Sequence, residues 1–146
     1  MQYSTNSSID APAERVWAVL TDVVHWPEWN STVTRAEMDR VLSVGNRMRM
    51  KQKRMPRLTW VVTEVAPGVS FSWTTRIPGV TTVAEHTLKT RGDDTTVTEA
   101  VLRQFGPLSG VVGWLFGERT RRYMDVEAAG LKRRCEEGED ARPERD

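Results

Sequence analysis

The sequence predicts an α+β domain in which antiparallel strands curl over one long C-terminal helix. Three observations lead there. Pro107 to Cys135 is the longest amphipathic segment. The short β-like runs before it have nothing else long enough to cover them. Turn dipeptides Pro67-Gly68, Pro78-Gly79 and Gly92-Asp93 join successive runs as hairpins. A chain of 146 residues is one domain's worth, large enough for a core without disulfide or metal staples. That domain is expected to span residues 1–135, with 136–146 as a frayed tail too charged to bury anything.

Gln2 to Ile9 alternates weakly and reads as the first strand. Asp10-Ala11-Pro12-Ala13-Glu14 follows with a cap-like Asp, an early Pro and an acid in the first turn, which together start a helix. Its apolar side is Val16, Trp17, Val19 and Leu20. A second short helix is expected in Val23 to Asn30 around Trp26-Pro27-Glu28-Trp29, its tryptophans packed in the core. Thr32 to Val41 is strand-like, and Gly45-Asn46 turns into Arg47 to Arg54. That third strand sets Met48 and Met50 against Arg47, Arg49, Lys51 and Lys53. Nucleic-acid readers interleave exposed aromatics with positive charge. None occurs here, so the basic side reads as a solvated face whose lysines discourage edge pairing.

The next hairpins fix a register. A two-residue turn at Pro67-Gly68 opposes Glu64 to Phe71 and Val62 to Trp73, and one at Pro78-Gly79 opposes Trp73 to Ala84 and Phe71 to His86. A two-residue turn at Gly92-Asp93 opposes His86 to Glu99 and Ala84 to Val101. Side chains alternate strictly. One face then carries Trp60, Val62, Phe71, Trp73, Thr75, Thr82, Ala84, His86, Leu88, Val97, Glu99 and Val101, and hydropathy turns it inward. On the terminal helix, at roughly 100° per residue, Leu108, Val111, Val112, Leu115, Val126, Ala129 and Gly130 fall on one side, with Phe116 and Tyr123 at its border. Arg119 and Arg122 fall inside that stripe, where unpaired charge is expensive. The conflict suggests a cavity rather than a closed core.

Composition excludes several classes. Twenty-one Lys and Arg against 20 Asp and Glu leave a net charge of +1, so no global field draws the chain to nucleic acid or membrane. The lone Cys135 forms no internal disulfide, and with only His25 and His86 there is no zinc spacing. The N-terminus lacks a basic and then apolar leader pattern, so a cytoplasmic, reducing setting is the expectation. Phe105 to Gly117 falls short of the ~20 apolar residues a spanning helix needs, so no stable membrane insertion is expected. No phosphate-cradling loop, nucleophile motif or metal constellation occurs, and no cofactor is implied.

Ile9-Asp10-Ala11-Pro12, Val16-Trp17, Leu20-Thr21-Asp22 and Trp26-Pro27-Glu28-Trp29-Asn30, with Gly45, Ala84-Glu85-His86 and the helix from Arg122-Tyr123 through Glu127 to Lys132, form a familiar pattern. It resembles the bacterial polyketide cyclase/dehydrase-like proteins of the START-like SRPBCC superfamily over residues 1 to about 135. The resemblance implies a helix-grip fold: a seven-stranded antiparallel sheet wrapped around the C-terminal helix, with two short helices after strand one. It also implies a cavity for hydrophobic molecules such as lipids or polyketides. The β-α-α-β6-α order read from turns and periodicity agrees with it.

The inward polar residues are the candidate chemistry. His86 and Glu99, as an opposed cross-strand pair, would let a carboxylate orient an imidazole, either as a structural ion pair or for proton transfer on a polyketide-like carbonyl. Arg119 or Arg122 would stabilise an enolate or hold a ligand carboxylate, unless they extend to the rim with only their stems buried. Trp60, Val62, Phe71, Trp73, Thr75, Ala84, Leu88, Val97, Val101, Leu115 and Tyr123 would line the binding site with them. A binder of a hydrophobic or amphipathic small molecule is the first reading. A cyclase or aromatase using His86, Glu99 and the helix arginines is the second. A protein or membrane interaction module, using the basic third strand or the Phe105 to Phe116 surface, is the third.

Overall fold

A computed structural model describes residues 2–140, with side chains to Glu137. Its elements run β1 (Gln2–Ile9), α1 (Ala13–Thr21), a 3-10 turn (Val23–Glu28), β2 (Val33–Met38), β3 (Arg47–Gln52), β4 (Leu58–Ala66), β5 (Ser70–Ile77), β6 (Val80–Thr90), β7 (Thr96–Phe105) and α2 (Ser109–Asp140). The strands form one antiparallel sheet in the order β1-β7-β6-β5-β4-β3-β2, so the first strand returns to pair with the last. This is the helix-grip architecture.

The alternating residues of β3 to β6 supply the inward face. Met48, Met50, Val62, Phe71, Trp73, Ala84 and Leu88 are buried and meet Val16 and Leu20 of α1 and Trp26 and Trp29 of the following turn. Both tryptophans are core residues. The indole N–H of Trp26 donates to the Leu20 carbonyl at 2.9 Å, which satisfies its one polar group inside the core. The charged side of β3 is a set of local contacts: Arg49 pairs with Glu37 and Asp39, and Lys51 donates to the carbonyls of Gln52 and Met55. β3 is not an edge, because β2 pairs along it.

Two of the three expected hairpins are corrected. The Pro78-Gly79 turn has the expected two residues, with Ile77 opposite Val80. The β4–β5 connection instead has three, with Ala66 opposite Ser70, and a bulge at Thr63 restores the register of Val62 with Trp73. That bulge sends Glu64 outward beside Ser72 and brings Val65 opposite Phe71. The β6–β7 loop spans residues 91–95, closed by the Arg91 N–H to the Thr95 carbonyl at 2.8 Å. One residue of slip reverses the faces of β7. Thr98, Ala100 and Leu102 therefore share a side with His86, while Val97 and Glu99 stand opposite Lys89 and Thr87.

The buried stripe of α2 is also not the predicted one. Of the predicted stripe only Gly130 is buried; Gly113, Gly117, Leu131 and Cys135 are buried with it, Thr120, Met124 and Glu127 continue the line between them, and Leu108, Val111 and Leu115 are exposed on nearly the opposite side. Hydropathy selected the aliphatic side, whereas close approach uses glycine. A Cβ at Gly117 would press on the Tyr3 hydroxyl, and one at Gly130 would overlap the Trp29 carbonyl. The helix packs chiefly against β1 and α1.

Asp10 does not cap α1, whose N-cap is Pro12 with no side-chain cap. The Asp10 N–H donates to Glu136 Oε2 at 2.8 Å, and Lys132 Nζ lies 2.7 Å from the same oxygen. These contacts hold the Glu136 carboxyl below its ordinary range. The segment expected to fray is thus helical to Asp140, and 141–146 lie outside the described residues.

Gly130→Ala improves intrinsic helix propensity by about 1 kcal/mol. The overlap with the Trp29 backbone is nonetheless expected to give a net loss of about 1–2 kcal/mol. Urea unfolding checks this, and a midpoint at or above that of the wild type would contradict the close approach.

Candidate functional site

Because α2 crosses the sheet toward β1, the space above β3 to β6 is filled from the other side by α1 and the tryptophan turn. The filling is incomplete. A cavity of about 140 Å³ remains between sheet and helix. Trp26, Trp60 and Trp73 wall it, Met48, Met50, Met55 and Met124 fill its margins, and the remaining surface includes Thr75, Thr82, His86, Tyr123 and Glu127.

The polar centre is set by one strand and one helix. The tight β5–β6 turn fixes Phe71 opposite His86, and the rings stack with centroids 4.8 Å apart and planes at 15°. Trp26 and Trp73 meet the imidazole edge-on. From above, Thr120, Tyr123, Met124 and Glu127 fall at helical spacing on the side of α2 that faces the cavity. His86 Nε2 lies 2.9 Å from Glu127 Oε2, both side chains being largely buried. In the neutral ring the Nε2–H donates to the carboxylate, and Nδ1 is then left as an acceptor. Nδ1 is buried and has no hydrogen-bond partner. A smaller space of about 20 Å³ borders the same pair near Thr5, Leu20 and Leu131.

The rim is clasped. The β3–β4 loop lies across the helix, with the Tyr123 hydroxyl donating to the Lys53 carbonyl at 2.6 Å and Arg119 Nη1 to the Arg54 carbonyl at 3.0 Å. Arg54 adopts the left-handed region at φ 60°, unusual for a residue with a Cβ. Met55 and Leu58, just beyond, line the cavity.

Of the candidate residues, Trp60, Trp73, Thr75, Ala84, His86 and Tyr123 border the cavity, as does Val101 although the β7 register sets it opposite Glu85 and not Ala84. Val62, Phe71 and Leu88 lie in the core cluster instead. The β7 register moves Val97 off the inward face, Leu115 is exposed, Arg122 is exposed, and Arg119 serves the rim clasp. Glu99 is exposed opposite Thr87, so the partner of His86 is Glu127 and not Glu99. Glu127 was discoverable: it stands four residues after Tyr123, already at the stripe's edge, but a carboxylate lowers the hydropathy of any face that contains it. Among the described residues no group of three or more His, Cys, Asp or Glu is placed to hold a metal ion.

A curled sheet gripping a helix over a walled cavity with a buried His–Glu pair defines a helix-grip pocket protein. The chain belongs to the family described as "Polyketide cyclase / dehydrase and lipid transport", which matches residues 1–136. No curated protein matches it in sequence. Among solved structures it is similar to the Zhui aromatase/cyclase from Streptomyces sp. R1128, with TM-score 0.79 and 14% identity over 99% of this chain and 98% of that one. It is similar to a START superfamily protein from Mycobacterium smegmatis, with TM-score 0.74 and 17% identity over 93% of this chain and 97% of that one. Norcoclaurine synthase from Thalictrum flavum, in complex with dopamine and hydroxybenzaldehyde, gives TM-score 0.70 and 13% identity over 91% of this chain and 84% of that one. At these identities the likenesses show the fold.

Glu127→Leu leaves both imidazole nitrogens unsatisfied among aromatic rings and is expected to cost about 1–3 kcal/mol. The double variant His86→Phe with Glu127→Leu should recover most of that loss, because no buried polar group is then left unpaired. Urea unfolding of the four proteins in the cycle measures it, and independent, additive effects would mean that the pair is not formed in solution.

Proposed function

We propose that the protein binds a compact, largely apolar molecule in the cavity between sheet and α2, with one hydrogen-bonding group of the ligand directed to His86. The observation that carries this reading is the buried, unpartnered Nδ1 of His86, a residue that lines an otherwise mostly apolar space. A buried acceptor without a donor is costly, and a domain needing only a packed core would gain by placing an aliphatic residue there. Glu127 holds the imidazole in the form whose Nδ1 accepts, so the complementary ligand group is a donor such as a hydroxyl.

Volume narrows the ligand class. About 140 Å³ is close to the roughly 150 Å³ that accommodates a benzene ring in an apolar cavity. That volume corresponds to one aromatic ring or a short acyl segment. A larger lipid- or polyketide-like ligand requires displacement of the lining methionines, whose unbranched side chains adapt readily, or release of the loop held by Tyr123 and Arg119. The family description and the single-ring molecules held by norcoclaurine synthase support a ligand of this kind.

Catalysis of cyclase or dehydratase type is the second reading, favoured by the same pair. An imidazole held 2.9 Å from a carboxylate is oriented to take a proton from a bound carbonyl compound through Nδ1. In that reading Glu127 takes the part expected of Glu99. The helix arginines supply no oxyanion contact, since Arg119 is committed to the rim and Arg122 is exposed.

The matched pair p-cresol and toluene tests the binding reading by calorimetric titration. Wild type is expected to prefer p-cresol by about tenfold, the worth of one buried hydrogen bond. His86→Phe should remove the preference, and Ala84→Phe, which fills the cavity, should remove binding of both. Failure of the wild type to bind either compound, or an undiminished preference in His86→Phe, would contradict the proposal. Turnover of hydroxybenzaldehyde with an amine, abolished by His86→Ala, would favour the catalytic reading.

A further inference from the structure

We infer that the first turns of α2 and the β3–β4 loop together form a docking surface for an anionic lipid membrane. The face is apolar at one end. Trp114 is 83% exposed and Leu115 58%, with Val111 and Leu108 exposed on the turns before them. Leu108 is fixed against the β5–β6 turn, where its N–H donates to the Gly79 carbonyl at 2.9 Å. The patch thereby continues to the exposed Ile77. This is the stripe that the helical projection assigns to a core, and no described residue covers it.

The same helix face runs on into Arg119 and Arg122, and Arg119 reaches the Arg54 carbonyl, which brings the loop with Lys53, Arg54 and Arg57 alongside. Residues 53–57 and 118–122 contain six cations, Lys53, Arg54, Arg57, Arg119, Arg121 and Arg122, against one carboxylate, Glu118. Among the described residues none of the six forms an ion pair, whereas Arg35, Arg49, Arg103, Lys132 and Arg134 all do. Arg121 instead lies over the Tyr3 ring. With a net charge of only +1, this is local segregation rather than a generally basic protein.

An exposed tryptophan with aliphatic neighbours, followed along the helix by unpaired arginines, matches the layers of a bilayer surface. Aliphatic and indole groups enter the headgroup boundary while the cations meet lipid phosphates. A protein partner would have to supply an apolar patch and an acidic patch in the same succession. An anionic bilayer supplies both everywhere on its surface, and that complementarity selects it. The attachment is peripheral, since no helix among the described residues is long and apolar enough to cross a membrane. The surface includes the rim of the cavity, so phosphates that draw Arg119 from the Arg54 carbonyl would loosen the clasp on the side facing the lipid. This last step rests on the binding function proposed above; docking itself does not.

Co-sedimentation of the full chain with phosphatidylcholine vesicles, with and without phosphatidylglycerol, is the test. Binding is expected only with phosphatidylglycerol and should weaken as salt is raised. Trp114→Ala should lower partitioning about tenfold, and Arg119→Gln or Arg122→Gln about fivefold each. Trp114 and Arg122 are exposed, so their variants keep the fold, which circular dichroism verifies. Ala84→Phe should dock like the wild type, so failure of docking and failure of cavity binding are distinguishable. No binding to either vesicle, or binding unaffected by the substitutions, would overturn the inference. A lipid-independent dimer abolished by Trp114→Ala would also overturn it, by assigning the face to a second copy.

Discussion

The close passage of α2 over Trp29 at Gly130 is the constraint from which the remaining geometry follows. With no side chain at that point, the helix backbone comes down onto the tryptophan turn, and Leu131 and Cys135 enter the core beside it. The C-terminal half of the helix is then anchored beside α1, while Gly117 in its other half packs on Tyr3 of β1. Glu127, one turn before the anchor, is carried to His86, and Tyr123, one turn earlier, to the rim. The cavity is the space this placement leaves. Helix and sheet diverge above β3 to β6, and the tryptophans fill that wedge only in part.

The same placement accounts for the electrostatics of the site. His86 is surrounded by Phe71, Trp26 and Trp73, with Glu127 as its hydrogen-bond partner. In such surroundings a hydrogen bond is stronger and an unpartnered acceptor more costly than in water. That is why one ring nitrogen carries so much of the functional reading. Binding and proton transfer make the same structural demand here, an imidazole fixed by a carboxylate beside an apolar space, and they differ in what the ligand offers to Nδ1.

Much of the fold was legible because its signals are local. The first strand, the Pro78-Gly79 hairpin and the buried tryptophans follow from alternation and turn chemistry, and the resemblance supplied the closed architecture. The site was legible in half. His86 and the aromatic wall lie on β4 to β6, whose alternation is strong. Glu99 was misplaced because Gly92-Asp93 has the composition of a two-residue turn yet sits in a longer loop, and a slip of one reverses a strand. Glu127 was missed for a different reason. The inward side of α2 is marked by Gly113 and Gly117, which hydropathy cannot distinguish from a loop, while its aliphatic side faces out. The arginines that seemed to violate the core are simply on the exposed side, and their neighbours Leu108, Val111 and Leu115 are the true anomaly.

The most direct measurement is native mass spectrometry of the protein purified from its own cells, followed by extraction of whatever it carries. A stoichiometric adduct no larger than a small ring or short-chain compound, bearing a hydroxyl or comparable donor and absent from protein denatured before analysis, is the predicted result. A protein that emerges at its bare mass, with crystals showing the cavity filled by its own tryptophans and methionines, would contradict the account.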